Sequence, residues 1–288
     1  MAIGSQDFNG GYTTDNGYTW TYVNWSGQSW GGFTYGAYIV DENTCVTTVS
    51  NGWYEGRVIA YTHDGGKNVT STQYKISGPE VGYGALGNDD IVFMGNWRST
   101  DRGYTWAEMD GCMGVYEHDP KTGRLFGAGN FSVVYSDDNG ATWTKLCSAA
   151  EGVSDIAYNF NTDTLYVTNE AGLFSINVEQ GGMLKPSNNR NLNKATGICV
   201  DPENPSIMYL SRSSYTENYY YDSVFRSLDG GETWTCINHH PGDGREGPDG
   251  GRQTGSILFN AVTREVFTCG GCIGMWKIPA APADTTND

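Results

Sequence analysis

The chain has 288 residues and a formal net charge of −16, with 33 acidic against 17 basic side chains, 40 glycines and 13% aromatics. Such a surface repels nucleic-acid phosphates and anionic membranes, and no apolar run approaches the ~20 residues of a membrane helix. The aromatic content excludes a disordered chain, and glycine beside Trp and Tyr points to many short strands joined by tight turns.

Met1–Ser5 lacks the charged and apolar regions of a signal peptide, so an exported protein would carry its signal outside this chain. Residues 2–5 read as a strand, the second of its sheet, and the loop after it carries Asp7-Phe8-Asn9-Gly10-Gly11. An octapeptide follows, Thr13-Thr14-Asp15-Asn16-Gly17-Tyr18-Thr19-Trp20, and its pattern S/T-x-D-x-G-x-T-W returns three times. The copies place Asp101 before Gly103 and Trp106, Asp138 before Gly140 and Trp143, and Asp229 before Gly231 and Trp234. Thr62-His63-Asp64-Gly65-Gly66-Lys67-Asn68 is a degenerate copy, and Asn177 sits where another is due. The third position thus falls at 15, 64, 101, 138, 177 and 229, with a seventh register near Ile278. Spacing in this range predicts a propeller, a ring of four-stranded antiparallel sheets. Strands are predicted at 255–260, 265–269 and 273–278, and residues 280–288 read as a Pro/Ala/Asp-rich tail after a single domain at 1–279.

The repeated residues have turn chemistry. Asp folds its carboxylate onto nearby backbone N–H groups, Gly supplies positive φ, and Trp at the start of the return strand wedges between neighbouring sheets. Asp15, Asp101, Asp138 and Asp229 are therefore read as structural, not as metal ligands or catalytic acids. Seven cysteines leave at least one without an intrachain partner. A single CxxC, Cys269 to Cys272, falls short of a zinc site; a disulfide across that turn remains open, and the other thiols read as buried small hydrophobes. No metal or cofactor is expected.

The octapeptide resembles the Asp-box (BNR) repeat of sialidases, sortilin-type receptors and xyloglucanase-type glycoside hydrolases. The resemblance implies an all-β fold, a seven-bladed β-propeller, with each box between the third and fourth strands of its blade. The first blade would begin at its second strand, which suggests a larger parent with a second propeller upstream.

If the boxes occupy one face, the loops between second and third strands and the blade-to-blade connections occupy the other. That face is expected to hold Trp25, Trp30, Tyr35, Trp53, Tyr54 and Arg57, and an insertion in blade six containing Tyr215, Glu217, Tyr219, Tyr220 and Tyr221. The connection after it holds His239, His240, Asp243, Arg245, Glu246, Asp249 and Arg252. Aromatic faces beside carboxylates and arginines suit sugar rings, whose C–H faces stack while their hydroxyls hydrogen-bond; the same clusters also suit a protein interface or simple loop packing. Of these, Trp25, Trp30, Trp53, Tyr54, Tyr219, Tyr220, His239, Arg245 and Arg252 are the candidate ligand contacts.

Asp7 is the catalytic candidate. Its segment looks like the D-x-G-G stretch that carries a catalytic Asp in xyloglucanase-type hydrolases, although here the spacing is D-x-x-G-G. On that resemblance Asp7 would do acid–base work with a second carboxylate across a cleft, from Asp243, Glu246, Asp249 or another domain. The F/Y-R-I-P stretch of sialidases is absent. Three readings follow: a carbohydrate-facing propeller, outside the cell or at its surface, forming the C-terminal half of a glycoside hydrolase; a glycan-binding module without catalysis; or a structural, virion-type protein-interaction propeller. The first two imply a polysaccharide or cell-surface glycan as partner, with neither nucleic acid nor membrane insertion. The N-x-S/T sites at Asn24, Asn68 and Asn130 would matter only in a eukaryotic secretory pathway.

Overall fold

Turn residues at short intervals cut the chain into seven antiparallel sheets in sequence order. A computed structural model describes residues 2–5, 9–15, 17–29, 32–50, 52, 56–189, 192–216, 219–237, 254–270 and 274–283. For 2–5, 9, 213–216, 219–223, 254–255, 269–270 and 274–276 the description is of the backbone alone. The first sheet holds β1 (Ala2–Ser5), β2 (Asn9–Tyr12) and β3 (Thr21–Tyr22). The second holds β4 (Phe33–Ile39), β5 (Cys45–Ser50), β6 (Val58–Thr62) and β7 (Thr70–Lys75). The third holds β8 (Gly82–Ala85), β9 (Asn88–Met94), β10 (Trp97–Ser99) and β11 (Ala107–Glu108). In the fourth are β12 (Gly114–His118), β13 (Leu125–Gly129), β14 (Ser132–Ser136) and β15 (Thr144–Ser148). In the fifth are β16 (Asp155–Asn159), β17 (Thr164–Asn169), β18 (Gly172–Asn177) and β19 (Lys185–Pro186). The sixth comprises β20 (Ala195–Val200), β21 (Met208–Thr216), β22 (Tyr219–Ser227) and β23 (Thr235–Cys236). The seventh comprises β24 (Thr254–Asn260), β25 (Glu265–Gly270) and β26 (Gly274–Pro279), so among the described residues the first and last sheets have three strands each and the others four. This is the predicted fold class. Two compact units divide the chain, Met1–Asn130 with Val134–Lys145 and Phe131–Val133 with Leu146–Asp288.

Five turns share one hydrogen-bond scheme. The seventh box residue donates its backbone N–H to the Asp carboxylate at 2.8–2.9 Å and its side chain donates to the other oxygen at 2.5–2.7 Å. The first residue's hydroxyl donates to Asp at 2.6–2.9 Å and accepts the box glycine N–H at 2.8–3.0 Å. In the degenerate copy Asn68 replaces Thr, and its amide N–H₂ supplies the same donor to Asp64. The fifth register departs from the scheme. There Asn177 accepts from Gln180 N at 2.9 Å, and Asp163, from the turn between β16 and β17, accepts from Glu179 N at 3.1 Å.

These bonds stabilise the ionised carboxylates. Asp15 is held at about 2 by the Thr13 hydroxyl first and then by Thr19. Asp64 and Asp138 are held at about 2, chiefly by the backbone N–H groups of Asn68 and Thr142. Because the folded values lie below the ~3.9 of an unfolded Asp, their stabilisation is complete above about pH 4 and is lost as pH falls through 2. The melting temperature should therefore decline between pH 5 and pH 2, and the decline should be shallower in Asp138→Asn. A circular-dichroism melt series checks this.

The box glycine and tryptophan join neighbouring sheets within each unit. A Cβ on Gly66 would lie 2.6 Å from Val23, on Gly103 2.8 Å from Val46, and on Gly140 2.5 Å from Phe93, each time a side chain of the preceding sheet. The tryptophans complete the cores between sheets. Trp106 packs with Val46, Ile59, Val92 and Met94; Trp143 with the cluster of Phe93, Val115 and Leu125; and Trp234 with that of Tyr166, Leu173, Met208 and Leu210. The indole N–H groups of Trp20, Trp106 and Trp234 donate to the carbonyl of their own box glycine at 3.0–3.1 Å. Cys45 and Cys112 are buried, and burial pushes both thiols up to about 12. The Cys269 side chain and Cys272 lie outside this description.

Two segments differ from expectation. The blade-six insertion does not form a separate loop but extends a hairpin, with Ser214 opposite Tyr221, Tyr215 opposite Tyr220 and Thr216 opposite Tyr219. A run of tyrosines favours continued strand pairing over an open loop. Residues 280–283, read as the start of a tail, are anchored instead. Ala281 is buried, its N–H donates to Tyr209 Oη at 2.7 Å, and its carbonyl accepts from Arg264 at 2.8 Å. Asn204 Nδ2 donates to the Ala283 carbonyl at 2.6 Å.

Candidate functional site

In the four-stranded sheets the boxes lie between the third and fourth strands, and in the first sheet between β2 and β3, so in the four-stranded sheets the turns between second and third strands project from the opposite strand ends. At these ends the first unit presents a charged aromatic cluster. Arg57, after β5, lies over the Tyr35 ring at 4.3 Å and forms an ion pair with Glu80 in the connection from β7 to β8. Backbone bonds fix the three elements. Ile76 N donates to Arg57 O at 2.9 Å and Gly95 N to Val81 O at 2.8 Å. Gly36 lets the connection cross β4, since a Cβ there would fall 1.5 Å from the Glu80 carbonyl oxygen.

At the same strand ends the second unit has a recess of about 460 Å³, lined by residues of the β17–β18 turn and the β19–β20 connection. Asn188, Asn189, Asn193, Ser187, Phe174 and Pro186 are among its lining, in which no described residue is ionisable; Arg190 and Asn191 of the same connection lie outside the described residues. Among the described residues no group of three or more His, Cys, Asp or Glu is placed to hold a metal ion. Nor is any helix there long and apolar enough to cross a membrane.

Of the predicted ligand contacts, Trp25 is 2% exposed and packs with Tyr12, Val23, Cys45 and Val49, which makes it a core residue. Tyr219 and Tyr220 lie in β22, described by its backbone. Asp7, Trp30, Trp53, Tyr54, His239, Arg245 and Arg252 lie outside the described residues, as do Asp243, Glu246 and Asp249. Tyr35 and Arg57 do come together, joined by Glu80, which sequence reasoning missed because its partner is 23 positions earlier. The recess was missed as well, although the asparagine density of 188–193 was a visible signal.

Exposed aromatics also occur at the box ends of the first unit. Tyr18 is 82% exposed and Tyr104 55%, and Tyr104 stacks on His63 with ring centroids 3.8 Å apart. Burial and Arg102 both lower the His63 pKa. Nearby in sequence but on inner strands, Tyr83 Oη lies 2.5 Å from His118 Nδ1 and donates to Glu117 at 3.0 Å.

Comparison with known proteins supports the architecture. The BNR/Asp-box repeat family matches residues 134–145, the fourth-sheet box. No curated protein matches the sequence. Among solved structures, the GH74 xyloglucanase from Xanthomonas campestris is similar over 99% of this chain and 50% of its own, at 15% identity and a TM-score of 0.74. The Niastella koreensis GH74 enzyme is similar over 98% of this chain and 50% of its own, at 18% identity and a TM-score of 0.70. YCF48 from Cyanidioschyzon merolae is similar over 96% of this chain and 94% of its own, at 15% identity and a TM-score of 0.60. At these identities the likeness is one of fold, and the chain spans half the length of the two hydrolase structures it matches. With the box chemistry in five of its seven sheets, the chain is a seven-bladed β-propeller built on BNR/Asp-box repeats.

Proposed function

We propose that this propeller faces carbohydrate through the strand ends opposite its boxes, outside the cell, where polymeric glycans are found. The observation that carries the reading is the Arg57–Tyr35–Glu80 cluster. It combines an aromatic body, a fixed cation and a carboxylate at one mouth, the mixture that hydroxyl-rich rings require. The fold likeness to two GH74 enzymes, one a xyloglucanase, gives the glycan class its direction. In the finer form of the proposal the chain works beside a second propeller as half of a glycoside hydrolase, with Asp7 in acid–base work at a shared cleft. Affinity electrophoresis through xyloglucan and mixed-linkage β-glucan tests the reading: retarded wild type, and at least tenfold weaker retardation in Tyr35→Ala, are expected. Unretarded migration in every polysaccharide contradicts it. Asp7→Asn in the full-length parent should abolish xyloglucan hydrolysis, and unchanged turnover removes Asp7 from the mechanism.

A second reading has its own observation. The exposed Tyr18 and Tyr104 at the box ends suit a protein partner, which self-association or complex formation in light scattering would reveal.

A further inference from the structure

We propose that Tyr83, Glu117 and His118 form a binding site for a zinc-like transition-metal ion between the third and fourth sheets, a reading independent of the carbohydrate-facing one. Their polar atoms converge on one point. Tyr83 Oη lies 2.5 Å from His118 Nδ1 and 3.0 Å from Glu117 Oε1, and His118 Nδ1 lies 3.6 Å from Glu117 Oε1. A single ion can stand about 2.1 Å from all three, the usual distance of zinc from imidazole nitrogen and carboxylate oxygen. Imidazole in the set selects a transition ion over calcium or magnesium, which take oxygen ligands. Among the described residues no three His, Cys, Asp or Glu gather in this way, and here a tyrosine supplies the third ligand. The net charge of −16 favours the approach of a cation.

Two features of the strands build this meeting. Tyr83 lies in β8 and the other two residues in β12, the first strands of adjacent sheets in one unit. Consecutive residues of a regular strand point to opposite faces, yet Glu117 and His118 both reach the Tyr83 hydroxyl. A β-bulge between Val115 and Glu117 directly precedes them, a device that re-aims side chains beside sites. The frame is packed. Tyr83 pairs with Phe93 of β9 and rests on the cluster of Ile91, Phe93, Val115 and Leu125, while His118 pairs with Leu125. Burial lowers the His118 pKa and so favours the neutral imidazole that a metal requires. The side chains of His118 and Glu117 are 26% and 28% exposed, which leaves a path for the ion and for a water as its fourth ligand. Without an ion the same atoms form a hydrogen-bonded chain, Nδ1–H to Oη and Oη–H to the carboxylate. Binding replaces both hydrogens: the phenol proton leaves to solvent and the imidazole proton moves to Nε2, so about one proton is released per ion.

Calorimetric titration of the metal-free, tag-free full chain with zinc chloride tests the proposal, at neutral pH in two buffers of different ionisation enthalpy. One ion should bind per chain with release of about one proton, and the ultraviolet difference band of a phenolate should appear with it. Tyr83→Phe should remove that band, and Tyr83→Phe, Glu117→Gln and His118→Gln should each weaken binding at least tenfold. Because the ion ties two sheets together, saturating zinc should raise the melting temperature of the wild type and leave that of Tyr83→Phe unchanged. Should one variant fail to fold, the remaining two carry the test. Zinc binding of undiminished strength in the variants places the ion elsewhere, for example at Cys269 and Cys272, and overturns the site. Binding of no zinc by the wild type, or binding without the phenolate band, overturns it as well. Tighter binding of calcium than of zinc overturns the class of metal.

Discussion

Replacing Arg264 with Ala should cost about 3–5 kcal/mol in urea unfolding, the range for breaking a buried ion pair from one side. The Asp201 side chain is fully buried, and Arg264 supplies its two charged hydrogen bonds from the seventh sheet. The same guanidinium holds the Ala281 carbonyl, while Ala281 N–H is bonded to Tyr209. Losing Arg264 therefore leaves the buried Asp201 carboxylate without its cation, held only by the backbone N–H groups of Glu203 and Asn204, and loosens the segment after β26 together. The Arg264–Glu203 contact adds little, because Glu203 is 57% exposed and water screens it. Arg264→Ala with Asp201→Ala should recover part of the loss, because no charge is then left buried. If Arg264→Ala unfolds at the wild-type midpoint, the clasp contributes nothing.

Gly140→Ala should cost about 3 kcal/mol. The added Cβ would lie 2.5 Å from the Phe93 ring, which is completely buried. Overpacking of that kind costs about 1–3 kcal/mol. The backbone adds a second penalty, since φ is +77° and an alanine there is strained by about 1–2 kcal/mol. Gly230→Ala separates the two effects, because its φ is +73° with no atom within 4 Å of the added Cβ. It should cost about 1 kcal/mol, the conformational part alone. Equal losses at the two positions would show that the box glycine is kept for its turn and not for the approach of the preceding sheet.

That contrast also explains what could be read from the sequence. Asp138, Gly140, Thr142 and Trp143 act within one octapeptide, so local chemistry identifies the turn and its period identifies the sheets. The three strands of the seventh sheet, which carries no box, were legible from their own short runs of apolar residues. Trp25 was not, because a tryptophan in a connection reads the same whether it faces solvent or, as here, the core beside Tyr12 and Cys45. Arg264 and Asp201 are 63 positions apart, and Glu80 and Arg57 belong to different connections. Pairings of that kind follow from how sheets and loops meet, which no local pattern carries. The recess has the same origin, since it exists only where the β17–β18 turn lies beside residues 186–189 and Asn193.

Hydrogen exchange followed by mass spectrometry, with and without saturating xyloglucan oligosaccharide, locates the face that binds carbohydrate. Slowed exchange is expected at residues 169–174, 186–189, 192–194 and 76–81, opposite the boxes, and unchanged exchange at the box turns 99–106 and 136–143. Protection concentrated at the box turns, or none anywhere, would contradict it.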